Sequence, residues 1–190
     1  MREGVIPLAG IACFAPYKQI EITNLIGMKD KIGIDIGGVI IKPAETEGDT
    51  SFFTNDYLET PMFEGAAETI RRLREERFGD EMYIVSKCGP RVQQKSLDWL
   101  EYHDFYARTG FKRSNVLFCR ERKDKAPICK RLGISVFIDD RLDVLSHMRT
   151  VSTRIQFCGS QRARNSRGNG SFEYQRCEDW REVAELLLAR

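Results

Sequence analysis

An apolar run closed by an acid and two glycines, KIGIDIGGVIIKP at residues 31–43, constrains the fold of this chain more than any other stretch. Ile32, Ile34 and Ile36 are β-branched residues in a short apolar segment, the pattern of a central parallel strand covered on both faces. Asp35 then falls at the carboxyl end of that strand, where open α/β sheets bind their ligands. Gly37 and Gly38 let the chain turn there with backbone amides exposed. An α/β domain with Asp35 at its working edge is expected, and the rest of the sequence is read for partners to that carboxylate.

The 190 residues suffice for one such domain with a full core. Hydrophobic residues at 42% and charged residues at 31% are ordinary for a soluble globular chain. Thirty basic against 28 acidic side chains leave a formal charge of +2, which points to no nucleic-acid or membrane partner. The six cysteines, Cys13, Cys88, Cys119, Cys129, Cys158 and Cys177, include no Cys-x-x-Cys pair, so zinc-ligand spacing is absent. Cys119 and Cys158 fall in apolar runs, as free thiols do in a reducing, cytoplasmic compartment. His103 and His147 are the only histidines, and neither has the context of a nucleophilic triad.

Along the chain, residues 1–27 read as an irregular extension and 28–190 as the α/β domain. The apolar patch of the extension is broken by Pro7 and Pro16 and falls short of the ~20 residues that span a bilayer, while Glu3 and Pro7 interrupt a signal-peptide pattern. Residues 42–60 turn polar and acidic, a flap with Glu45, Glu47, Phe52 and Phe53 that is too short for an inserted domain. A helix is expected at 61–77, then a strand at 81–85 delivering Ser86 and Lys87. A helix at 91–102 and a strand at 115–119 follow. Lys125 opens a helix closed by Gly133, and a strand at 134–138 ends in Asp139 and Asp140, with Asp143 one turn later. A strand at 154–158, a mobile Arg/Gly/Ser loop at about 159–172 and a helix at 178–188 complete five strands.

Two known families write strings like the opening one. Sugar kinases of the actin-like ATPase fold carry GxDxGGTxxK, matched by Gly33, Asp35, Gly37, Gly38 and Lys42, with Val39 in place of the Thr. A chain of 190 residues is too short for that two-lobed fold, which also leaves Lys125 and the Asp139–Asp140 pair without a role. Taken together, DIGGV at Asp35, Ser86 after YIV, Lys125 and FIDDR at Asp139 resemble, in order and context, the four motifs of the haloacid dehalogenase (HAD) superfamily.

That resemblance implies a Rossmann-like α/β core, a five-stranded parallel sheet flanked by helices, with no large cap domain. It implies a Mg²⁺-dependent hydrolase, a phosphatase acting on a phosphorylated substrate through an aspartyl-phosphate on Asp35. Asp35 and Asp139 would be side-chain metal ligands, Gly37 a carbonyl ligand, and Asp140 a ligand directly or through water. Ser86, Lys87, Lys125 and Gly38 would hold the phosphoryl group, Ser86 by donating a hydrogen bond and Lys125 by neutralising charge. The acid that usually stands two residues after the nucleophile is here Gly37, so slow turnover is expected; dehalogenases and phosphonatases of the superfamily lack that acid too. A phosphate-binding or regulatory domain with little turnover is the alternative. Either reading is compatible with a homo-oligomer.

Overall fold

The computed structural model describes residues 30–43 and 56–189. The extension at 1–27 and most of the flap, including Glu45, Glu47, Phe52 and Phe53, lie outside the described residues. Strands β1 (Ile32–Ile34), β2 (Met82–Lys87), β3 (Val116–Cys119), β4 (Val136–Asp139), β5 (Thr153–Phe157) and β6 (Gln175–Cys177) form one sheet. All neighbours are parallel, in the order β3-β2-β1-β4-β5-β6. The chain progresses one way from β1 and the other way from β4, so the crevice between their carboxyl ends is the switch point of the sheet.

The sheet therefore has six strands, one more than the sequence pattern indicates. β6 is three residues long, lies at the edge, and exposes Gln175 and Arg176. Such a strand carries no run of apolar residues to betray it; parallel backbone pairing to Ile155–Phe157 holds it in place. The preceding Arg/Gly/Ser tract contains a short helix, α6 (Gln161–Arg164), started by Ser160, whose hydroxyl accepts from the Ala163 amide.

Helices cover both faces. On one side α1 (Ala66–Leu73), which widens into a π turn at Arg74–Phe78, packs with α3 (Phe105–Thr109) and α7 (Trp180–Leu188). Its start is later than the apolar spacing suggests because Gly65 takes a left-handed conformation, φ 75°, which a helix cannot include. Here Ile32, Ile34, Trp99, Phe105 and Trp180 are fully buried. On the other face Val85 and Phe137 of the sheet cluster with Cys129 of α4 (Lys125–Leu132) and with α5 (Leu142–Leu145). Gly33 is required between these layers: a Cβ there would stand 2.5 Å from the Phe137 ring. Helix α2 (Pro90–Tyr102) follows β2, with Pro90 at its first position, where the missing N–H is tolerated.

The five described cysteines are buried and unpaired. Among the described residues no helix is long and apolar enough to cross a membrane.

Candidate active site

Three successive strand ends converge at the switch point. The Asp35 amide donates to Ile138 O at 3.0 Å, which ties the residue after β1 to the end of β4. The chain then winds tightly around the Ile36 carbonyl, which accepts from the amides of Val39, Ile40 and Ile41. Val39 and Ile40 turn inward and are fully buried, so apolar burial rather than glycine alone shapes this loop. Trp180 secures it from behind, donating its indole N–H to Val39 O at 3.0 Å. An antiparallel bridge between Ile41 and Met62 closes the stem of the flap.

Lys125 is the keystone of the cluster. It is the first residue of α4 and 1% exposed, and its ammonium donates to Asp139 Oδ2 at 2.7 Å while lying 2.8 Å from Asp35 Oδ2. Asp139, 0% exposed, also accepts the Arg141 amide through Oδ1 at 3.0 Å. Asp140 points into the pocket, and oxygens of Asp35, Asp139 and Asp140 all lie within 4.8 Å of one another. Gly38 makes this approach possible. Its φ is +81°, and a Cβ there would stand 2.6 Å from Asp140 Oδ2.

Three buried carboxylates, Asp35, Asp139 and Asp140, surround one buried ammonium. Burial pushes Asp139 up to about 6, with Lys125 opposing and Asp35 adding to the rise. Asp140 is pushed well above the usual carboxylate range by burial and by the charges of Asp139 and Asp35. Burial alone would depress Lys125, but Asp139 and Asp35 outweigh it and hold the ammonium protonated. Uncompensated buried charge is strongly unfavourable. A hard cation meets that need, and an oxygen-only donor set of this kind suits Mg²⁺.

The structure brings the sequence-derived candidates together around one pocket of about 430 Å³, lined by Asp35, Gly37, Gly38, Ser86, Lys87, Lys125 and Asp140. Asp139 lies beneath the pocket wall, fully buried on Lys125. Ser86 is the penultimate residue of β2 rather than the residue after it, and among the described residues its hydroxyl has no hydrogen-bond partner. Gly38 contributes space rather than a donor, because its amide is already given to Ile41 O at 2.9 Å. Gly37 differs from it: neither its amide nor its carbonyl is engaged among the described residues, and it is exposed at the pocket.

Arg122, Arg141 and Thr60 are not among the candidates drawn from the sequence, Lys42 enters only through the kinase-like string, and a phosphate-contacting Arg162 is the less favoured reading of its loop, though all line the pocket. Arg162 falls in the tract that reads as solvated loop. Arg141 carries the only local signal, two residues before Asp143, which it grips through two hydrogen bonds of 2.9 and 3.0 Å.

No protein-family model and no curated protein sequence matches the chain. Solved structures do match in fold. A haloacid dehalogenase-like family hydrolase from Xanthomonas campestris superposes with a TM-score of 0.57 at 9% identity, covering 85% of this chain and 95% of that one. A HAD family hydrolase from Deinococcus radiodurans, solved with bound phosphate and sodium, gives 0.50 at 15% identity over 84% and 95% of the two chains. A haloacid dehalogenase-like protein of Burkholderia xenovorans gives 0.53 at 14% identity; 74% of this chain is covered, and it spans 65% of that longer chain. The fold is thus that of the HAD-like hydrolases, an α/β Rossmann-like core.

Proposed function

We propose that the protein is a metal-dependent phosphomonoesterase that works through an aspartyl-phosphate on Asp35. The observation that carries this reading is the Lys125 ammonium held between Asp35 and Asp139, with Asp140 beside them at the mouth of the pocket. Phosphate bound to the Deinococcus neighbour is in keeping with it. Asp35, Asp140 and the Gly37 carbonyl are the groups placed to hold Mg²⁺, and Asp139 acts from below by fixing Lys125. When bound, Mg²⁺ would screen the repulsion between a carboxylate nucleophile and a phosphoryl group.

The chain's own groups account for the remaining chemistry. One Asp35 oxygen, Oδ1, accepts the Ile36 amide at 2.8 Å, which fixes the carboxylate plane for attack on phosphorus. Ser86 Oγ and the Gly37 amide, without partners among the described residues, are donors for phosphoryl oxygens. Residues 86–89 lead into the N-terminus of the 13-residue α2, and Gly89 and Val92 line the pocket, so the positive end of that helix lies at the site. Lys125 offsets charge on Asp35 as the bond to phosphorus forms. No described carboxylate occupies the usual acid position, because Gly37 stands there; hydrolysis of the aspartyl-phosphate is accordingly the slow step.

Phosphate release from a panel of phosphomonoesters with Mg²⁺, run beside Asp35→Asn, tests the proposal. Release that requires both Mg²⁺ and Asp35 is expected. Phosphate and Mg²⁺ binding without any release would instead favour a binding or regulatory domain.

A further inference from the structure

The pocket is larger and more cationic than a phosphoryl group requires. At about 430 Å³ it falls within the ~300–1,000 Å³ of sites that enclose whole small molecules. Ile41, Pro43 and Val92 form an apolar wall on the side of the flap stem and α2. Arg122, Arg141 and Arg162 line the pocket as well. Arg141 is committed to Asp143, and Arg122 is close enough to lower the Asp143 pKa through its charge. Asp143 thus feels two guanidinium groups but is paired with only one of them, Arg141.

Arg122 is the available member of this group. It is exposed at the pocket and has no hydrogen bond or ion pair among the described residues. Its backbone is nevertheless fixed. The turn Arg122–Asp124 is held by a reciprocal capping box, with Asp124 Oδ2 accepting the Glu121 amide at 3.1 Å, and it leads directly into Lys125. A guanidinium mounted on a rigid turn, three residues before the lysine that grips Asp35, presents a fork suited to a carboxylate or phosphate.

We infer that the substrate is a small phosphomonoester carrying a second anionic group, a carboxylate or phosphate, on its leaving portion, with Arg122 as the residue that selects it. The inference rests on the phosphoryl-transfer reading above. The phosphoryl group lies at Asp35 and Ser86, the carbon skeleton crosses beside Val92 and Ile41, and the second anion meets Arg122. A charge-assisted hydrogen bond of this kind corresponds to ~10–100-fold in recognition.

The test compares two esters that differ by one group, 3-phosphooxypropanoate and propyl phosphate, in which a carboxylate replaces a methyl. The parent should favour the carboxylate ester ~10–100-fold in kcat/KM, chiefly through KM. Arg122→Gln should bring the ratio near one, and Arg122→Lys should keep part of it. Equal kcat/KM for the two esters in the parent, or a preference that survives Arg122→Gln, would overturn the inference. Thermal shift with each ester separates this from failure of the hydrolase reading. With no turnover at all, a larger shift for the carboxylate ester that Arg122→Gln removes would uphold Arg122 as the anion site and reject the phosphatase. Equal shifts would reject the anion site. Preference for a 5′-phosphorylated oligonucleotide over both esters would also overturn it, because the cations would then serve a polyanion.

Discussion

Two adjacent glycines carry opposite constraints, and that difference decides how the site responds to mutation. Gly38 needs its left-handed φ of +81° and the space occupied by Asp140. Gly38→Ala should cost ~1–3 kcal/mol from strain at that backbone position, with more from displacing Asp140, and should weaken the rise in melting temperature on adding Mg²⁺. Calorimetry with and without metal checks both effects. Gly37 lies outside the left-handed region, and a Cβ there meets nothing within 4 Å. The backbone at Gly37 therefore accepts a side chain, and Gly37→Asp puts a carboxylate where the acid–base group is missing. Phosphate release should rise by ~10²-fold, the lower end of what general acid–base catalysis supplies. Slower release in steady-state assays would show that another group already does that work. The sequence showed that two glycines follow Asp35, but not that one tolerates a side chain and the other forbids it, because that depends on Asp140, more than a hundred residues away.

At the scale of elements, the loop after β1 is held by a residue from the last helix. Trp180 is fully buried and reaches Val39 O with its indole, while its own carbonyl accepts from Thr69 Oγ1 at 3.2 Å. Trp180→Ala should cost ~3–5 kcal/mol by urea unfolding. Trp180→Phe should cost less and chiefly free the loop, so its catalytic loss should exceed its loss of stability. The long elements could be read from the sequence since apolar periodicity and end signals agree in them, as with Pro90 opening α2 and Gly133, at φ 70°, closing α4. α5, α6 and β6 could not, since three or four residues carry no period; tertiary contacts define them. The same limit hid Arg162, which only α6 brings to the pocket.

For the whole molecule, the buried carboxylate cluster links stability to pH and metal. Asp139 titrates near 6 in the fold against 3.8 in an ordinary environment, so between those values the native state binds more protons than the unfolded chain. Metal-free protein should therefore lose stability as pH rises through that window, by ~1 kcal/mol or more, since each unit of pKa difference is worth ~1.4 kcal/mol. Acids such as Asp143, held low by Arg141, act in the opposite sense at lower pH. Added Mg²⁺ should flatten the decline, because it binds the ionised carboxylates. Melting temperatures from pH 4 to 7 with and without Mg²⁺ read this directly, and a metal-free profile that rises across the window would contradict it. The acids themselves were legible as Asp35 and the Asp139–Asp140 pair at strand ends. Their division of labour was not: Asp139 sits beneath the pocket on Lys125 and Asp140 faces into it, because alternate strand residues point to opposite sides.

The central claim is that Asp35 itself carries the phosphoryl group. Rapid quenching of the Mg²⁺-loaded protein during turnover of a reactive phosphomonoester, followed by borohydride reduction and peptide mass spectrometry, tests it most directly. Reduction confined to Asp35, with a burst of leaving group that outruns phosphate release, is the predicted result. Phosphate release with no trapped adduct, undiminished in Asp35→Asn, would contradict the account.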